Sequence, residues 1–103
     1  MYARLISFSG AGSDRRDSML EMIRGTVIPM LRSYDGYAGY LNLLDTDNNR
    51  AKAIILWETK EAAEAAEETL AERRAQMTAQ VGISVESADL FEAPVFDLAG
   101  ARV

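Results

Sequence analysis

The segment from Ala51 to Glu58, which reads AKAIILWE, limits the fold more than any other part of the chain. Its length is that of a strand rather than a helix, and its β-branched and aromatic residues suit a pleated sheet. Ile55 and Trp57 point to one face of the predicted strand, and Ile54 and Leu56 point to the other. Because both faces are apolar, both must be covered. We expect helices of this chain on one face and a partner subunit on the other.

Composition excludes several classes of protein. The chain of 103 residues has the length of one domain, spanning 1–103. Its formal net charge of −5 argues against a nucleic-acid binder, which would need a basic surface. It has no cysteine and no histidine, so it lacks the usual thiolate and imidazole ligands of metals and haem. We therefore expect no metal and no cofactor.

The same sequence predicts a cytoplasmic protein that contacts no membrane. No apolar run approaches the roughly 18 residues that a membrane span requires. The N-terminal residues include Arg4, Ser7 and Ser9, and they lack the apolar core of a signal peptide.

Four predicted strands and two predicted helices follow one another along the chain. The polar stretch Asp45–Asn49 lacks the full calcium-loop pattern and is expected to be a solvated turn. Thr59 caps the second helix and Gly82 closes it. The strands are predicted at Tyr2–Phe8, Tyr37–Leu44, Ala51–Glu58 and Ile83–Phe91. The helices are predicted from Ser13 or Asp14 to the turn Tyr34-Asp35-Gly36, and at Lys60–Gln80.

Each predicted helix has one apolar face. Pro29 is expected to kink the first helix, because it removes a hydrogen bond to the carbonyl of Gly25. The methionines around it either shape a pocket or provide adaptable core packing. Apolar residues of the first helix recur at Leu20, Ile23, Val27 and Leu31. Those of the second are Ala62, Ala66, Leu70, Met77 and Val81. Its solvated outer face is predicted to hold Glu64, Glu67, Glu68, Glu72, Arg73 and Arg74.

The order β-α-β-β-α-β is that of a ferredoxin-like α+β fold, a four-stranded antiparallel sheet with two helices on one face. Val95–Leu98, within the terminal segment 95–103, is expected to form an edge strand or an arm. The opposite sheet face is apolar and would be exposed in a monomer. Two such faces packed together would give a homodimer with two-fold symmetry, a dimeric α+β barrel.

Two motifs resemble a known family. The turn Tyr34-Asp35-Gly36-Tyr37 and the segment Ile55-Leu56-Trp57-Glu58-Thr59-Lys60-Glu61-Ala62 look like those of the antibiotic biosynthesis monooxygenase domain, in the dimeric α+β barrel superfamily. The resemblance spans Tyr2 to Phe91. It implies a small-molecule pocket between sheet and helices. The haem-degrading members carry a histidine on the helix after the tryptophan strand, and this chain has none.

The resemblance implies that Trp57 lines this pocket, and Asn42, Tyr40 and Arg4 lie on strands that reach it. Arg4 or Asn42 would stabilise a phenolate or a peroxy anion, and Trp57 would stack on an aromatic substrate. Each residue also has a structural alternative. Trp57 can be a core residue, Tyr40 and Asn42 can make sheet or interface contacts, and Arg4 can form an ion pair at the sheet edge or dimer interface. No catalytic residue is assigned.

Three functions are compatible with these features. The first is an oxygenase that uses molecular oxygen without metal or haem and acts on an aromatic or polyketide-like small molecule. The second is a non-catalytic module that binds an apolar small molecule. The third is a structural or regulatory dimer with a vestigial pocket. A cavity with polar groups in its wall favours the first, a wholly apolar cavity the second, and a filled core the third.

Overall fold

A four-stranded antiparallel sheet carries the helices on one face, in the ferredoxin-like α+β arrangement that the sequence predicted. The computed structural model describes residues 1–100. The strand order is β2-β3-β1-β4. The strands are β1 (Tyr2–Ser9), β2 (Tyr37–Asp45), β3 (Arg50–Trp57) and β4 (Ser84–Glu92). The helices are α1 (Arg16–Met22), α2 (Ile28–Arg32) and α3 (Lys60–Gln80), with a π-helical turn at Ile23–Val27 between the first two.

Strand β3 has the two-faced character that the sequence predicted. Ala53, Ile55 and Trp57 point toward the helices and are buried, whereas Ile54 and Leu56 are only partly covered on the other face. The strand begins one residue earlier than predicted and ends one residue earlier. Arg50 pairs with both Ser9 and Asp45, whereas Glu58 pairs with neither neighbouring strand.

The sheet register places two rows of side chains under the helices. Tyr40 of β2 lies opposite Ile55, which lies opposite Arg4, which in turn lies opposite Leu90. The next row toward the other end of the sheet consists of Asn42, Ala53, Ile6 and Ala88. Because neighbouring strands are about 4.8 Å apart, each row is a short continuous strip of wall.

The first helical region differs from the single kinked helix that was predicted. Instead of bending at Pro29, the chain widens in the turn before it, where the backbone N–H of Ile28 donates to the carbonyl of Ile23, five residues back. A proline clashes with the carbonyl four residues before it, and the wider turn avoids that contact. The added residue rotates α1 relative to α2, and Met19 rather than Leu20 is the buried residue of α1.

The buried face of α3 also differs from the prediction. Its buried residues are Ala63, Ala66, Leu70, Arg74 and Thr78, whereas Ala62, Met77 and Val81 are only partly buried. Arg74, predicted on the solvated face, is 8% exposed. The interior accepts it because the side chain has a long apolar stem and its guanidinium is paired with Glu67. The predicted cap is confirmed, since Thr59 accepts a hydrogen bond from the Ala62 N–H at 3.1 Å.

The polar hairpin between β2 and β3 is the solvated turn that was predicted. It contains a 3-10 turn at Thr46–Asn48, and Asn49 adopts a left-handed conformation with φ of 55°. Hydrogen bonds from Asn48 and Arg50 lower the pKa of Asp45. The carboxylate thus fixes the hairpin through one side chain of the turn and one from the first residue of β3.

The C-terminal segment does not form the additional edge strand that was one of the two predictions for it. Within residues 1–100, its last backbone hydrogen bond to the rest of the chain runs from the Ala93 N–H to the Met1 carbonyl, at 2.9 Å. Pro94 has no N–H with which to continue the ladder. Val95, Phe96 and Leu98 are exposed. The remainder of the predicted arm, residues 101–103, lies outside the described residues. None of the helices in residues 1–100 combines the length and the hydrophobicity of a membrane span.

Candidate functional site

A cavity of about 70 Å³ lies between the helix-bearing face of the sheet and the helices. Both register rows contribute to its floor, and residues of α1, α2, α3 and the π-helical turn form the opposite wall. Most of the lining is apolar. The polar side chains in the wall are those of Tyr40, Asn42, Arg74 and Thr78.

The cavity is small for an organic ligand. An apolar cavity of about 150 Å³ is enough to hold benzene. At about 70 Å³, this cavity is smaller than the space that a single aromatic ring needs. Any aromatic ligand must therefore displace part of the wall as it enters.

The residues of the helical wall can adapt to such a displacement. Four of the five methionines in the chain line the cavity, namely Met19, Met22, Met30 and Met77. Methionine is unbranched and adapts its shape at low cost. The π-helical turn also contributes Ile23 and Val27, and such turns are frequent at functional sites. The sheet wall, by contrast, is fixed by continuous strand pairing.

Tyr40 and Asn42 project from the same face of β2 into the cavity. Burial raises the pKa of Tyr40 to about 12, and the nearby Asn42 side chain and Arg74 charge only partly offset this effect. The Tyr40 hydroxyl is therefore protonated at neutral pH. It can donate a hydrogen bond to an anionic oxygen held beside it.

Arg74 belongs to a buried charge cluster that we define as Arg4, Glu67 and Arg74. The two terminal nitrogens of Arg74 donate to the two carboxylate oxygens of Glu67 at 2.9 and 2.8 Å. The Nε of Arg4 lies 3.8 Å from the nearer of those oxygens. Arg4 and Arg74 are 9% and 8% exposed. Two guanidiniums share one carboxylate, so the cluster carries a formal charge of +1 at the wall of an apolar cavity.

The structure separates the four residues predicted from the sequence into two pairs. Tyr40 and Asn42 line the cavity, and Trp57 and Arg4 do not contribute to its wall. Trp57 is 1% exposed and its ring makes edge contacts with Tyr34 and Tyr37, at centroid distances of 6.3 and 6.1 Å. Trp57 thus lies in the core beside the cavity, and Arg4 reaches the site only through Glu67.

Comparison with known proteins bears on the fold. No protein-family model matches the sequence, and no curated protein matches it. Solved structures do. A candidate antibiotic biosynthesis monooxygenase from Deinococcus radiodurans has a TM-score of 0.71 at 13% identity, over 97% of this chain and 100% of that one.

Two oxygenases from Streptomyces are also similar. The monooxygenase from the gene ActVA-Orf6 of Streptomyces coelicolor, in complex with the ligand nanaomycin D, has a TM-score of 0.66 at 15% identity, over 96% of this chain and 92% of that one. SnoaB from Streptomyces nogalater, a cofactor-independent oxygenase, has a TM-score of 0.63 at 18% identity, over 92% and 94%.

This chain has the fold of the antibiotic biosynthesis monooxygenases. The resemblance that the sequence predicted is thereby confirmed for the arrangement of strands and helices. Identities this low show the fold alone.

Sequence reasoning missed Arg74 and Glu67 as residues of the site in this monooxygenase fold. Both were assigned to the solvated side of α3, where charged residues usually lie. The spacing Ala63, Ala66, Leu70, Arg74 and Thr78 was the signal that could have found Arg74. Within the described part of the chain, no three histidine, cysteine, aspartate or glutamate side chains are grouped so that they could hold a metal ion.

Proposed function

We propose that this protein is a cofactor-independent oxygenase that binds an aromatic or polyketide-like small molecule as its anion in the cavity. One observation carries the proposal: an apolar cavity has a buried guanidinium, Arg74, in its wall, beside a tyrosine hydroxyl that stays protonated. Apolar walls would take fused rings. Arg74, Tyr40 and Asn42 would hold the oxygen that carries the negative charge.

This arrangement favours deprotonation of a phenol or of its keto tautomer. A positive charge close to an acidic group stabilises its ionised form, and the effect is stronger where water is excluded. The electron-rich anion is the form from which O₂ accepts electrons. Oxidation of a ring methylene to a carbonyl would then consume one O₂ and release one H₂O, because R₂CH₂ + O₂ gives R₂CO + H₂O. The Tyr40 and Asn42 side chains are held on the paired strand β2 before the reaction, which is the condition for effective stabilisation of the charge.

The second candidate, a binding module without catalysis, is favoured by the scarcity of proton acceptors. In the part of the chain that the structure describes, residues 1–100, no side chain of the cavity wall is a carboxylate or an imidazole. Such a module would bind the same aromatic anion and release it unchanged. Oxygen consumption separates the two functions.

Replacing Arg74 with methionine is expected to reduce oxygen uptake with polycyclic phenols at least about 100-fold, since loss of one oxyanion donor usually costs that much. Arg73→Met is the matched control, because Arg73 is the neighbouring residue on α3 and is exposed. An oxygen electrode measures both variants with anthrone and naphthols. Equal rates for both variants would remove Arg74 from the chemistry. Ligand binding without uptake by the unmodified protein would favour the binding module.

The proposal includes a homodimer formed through the open sheet face. Leu41, Leu43 and Phe91 are 53%, 43% and 52% exposed on the side opposite the helices. In the register, Leu41 adjoins Ile54, which adjoins Leu5, so the apolar residues of this face are contiguous. This apolar strip, which is bordered by Lys52 beside Leu43 and by Asp89 beside Leu5, supports burial against a second copy.

Leu41→Glu is expected to raise the dissociation constant of the dimer at least about 100-fold. Each protomer carries the substitution, so the two-fold interface would bury two carboxylates. Sedimentation velocity of the 11.3 kDa chain measures the shift from dimer to monomer. Ala71→Glu is the control, since Ala71 is exposed on α3, away from this face. A monomeric unmodified protein at micromolar concentration would contradict the dimer.

A further inference from the structure

We propose that Arg4 is a positioning residue, which pairs with Glu67 in place of Arg74 when Arg74 moves to bind an anionic ligand. The inference rests on the proposed function, because it concerns how Arg74 is released from Glu67 to bind a ligand in the same cavity. It gives Arg4 a role different from direct contact with the ligand.

The two arginines of the charge cluster differ in how well their hydrogen-bond donors are satisfied. Arg74 makes two short hydrogen bonds to Glu67, whereas the Nε of Arg4 is 3.8 Å from the carboxylate, too far for a hydrogen bond. The N–H at that Nε is buried and has no hydrogen-bond partner within the described residues. Among residues 1–100, the one hydrogen bond of the Arg4 guanidinium runs from Nη1 to the Ala88 carbonyl and is long at 3.5 Å. A buried donor without an acceptor is unfavourable, so Arg4 is poised to donate a hydrogen bond to a carboxylate that comes closer.

The two arginines differ in where they can go. Arg74 lines the cavity and can reach a ligand bound there, whereas Arg4 does not line the cavity. Arg4 lies on β1, which is paired on both sides, opposite Ile55 and Leu90. Its backbone is thus fixed on the sheet side of Glu67. The exchange needs only a side-chain movement of about one ångström by Glu67 toward Arg4, enough to bring 3.8 Å within hydrogen-bond distance.

Charge balance favours the exchange. Without ligand, two guanidiniums share one carboxylate. An anionic ligand adds a second negative charge, so that Arg74 pairs with the ligand and Arg4 pairs with Glu67. The unpartnered N–H of Arg4 gains an acceptor in the same step, which offsets part of the cost of breaking the Arg74 pair.

The test is a double-mutant cycle with 2-naphthoate and 2-naphthamide, two probes of nearly equal shape that differ in charge. Affinities are measured by isothermal titration calorimetry for the unmodified protein, Arg4→Met, Arg74→Met and the double variant. We expect Arg4→Met to weaken naphthoate binding about tenfold and to change naphthamide binding less than about twofold. In the Arg74→Met background, Arg4→Met should change naphthoate binding less than about twofold.

Two further variants sharpen the cycle. Glu67→Gln weakens the ion pair that keeps Arg74 at residue 67, so naphthoate should bind more tightly. In the Glu67→Gln background, Arg4→Met should have little effect on naphthoate binding. Arg4→Lys keeps a cation beside Glu67 and should restore part of the naphthoate affinity. Naphthamide binding shows in each variant that the cavity is still formed.

The outcomes are distinguishable. If Arg4→Met weakens naphthoate binding equally with and without Arg74, the exchange is wrong while the anion site stands. If it weakens both probes equally, Arg4 only supports packing, and the exchange is again wrong. If neither probe binds the unmodified protein, the proposed function fails and the inference fails with it.

Discussion

Replacing Trp57 with alanine is expected to lower the free energy of unfolding by about 3–5 kcal/mol, the usual cost of truncating a buried aromatic residue. Trp57 is 1% exposed, and its ring contacts the edges or faces of Tyr34 and Tyr37. Domains of this size are stable by only about 5–15 kcal/mol, so the loss is a large fraction of the total. The melting temperature should fall by roughly 15–30 °C.

Chemical denaturation measures this loss, and two variants control it. Trp57→Phe keeps an aromatic ring and should cost less than half as much. Phe96→Ala removes an aromatic residue that is 52% exposed, and it should change stability by less than about 0.5 kcal/mol. A Trp57→Ala variant that keeps its stability but loses ligand binding would show that the tryptophan serves the cavity and not the core.

Removing Glu67 is the substitution with the second largest expected effect. Glu67→Ala leaves Arg4 and Arg74, which are 9% and 8% exposed, without the carboxylate that they share. Breaking a buried ion pair by removing one partner typically costs about 3–5 kcal/mol. The Glu67 side chain is 22% exposed, so water can reach the site and we expect about 2–3 kcal/mol.

Glu68→Ala is the matched control for this prediction. Glu68 is the next residue on α3 and is exposed, so its removal should change the free energy of unfolding by less than about 0.5 kcal/mol. Urea denaturation of the two variants measures the difference. Equal stability would mean that water already solvates the two arginines and that the cluster holds no net buried charge.

The sheet and the order of elements could be predicted because β-structure leaves a strong local signal. The alternation in β3 and the polar hairpin at Asp45–Asn49 both follow from residue types at short range. Tyr40 and Asn42 were predicted on a strand that reaches the pocket, and both line the cavity wall.

The face of α3 that packs against the sheet could not be predicted, and the charge cluster was therefore missed. Its first half holds four alanines, Ala62, Ala63, Ala65 and Ala66, which span roughly 160° of the helix at 100° per residue, so they do not fix which part of that arc is buried. Arg74 is adjacent in sequence to the exposed Arg73, and only packing distinguishes the two. The π-helical turn before Pro29 was missed because it depends on how the whole helical region fits over the sheet.

The most direct test of the cavity is an NMR titration of protein labelled with ¹³C at the methionine methyl groups. Four methionines line the cavity and Met1 does not, so the chain carries its own control. Addition of 2-naphthol should shift the signals of Met19, Met22, Met30 and Met77, with saturation at one ligand per protomer, and leave Met1 unchanged. If the four signals do not move, or if all five move alike, the cavity does not open to hold an aromatic ligand.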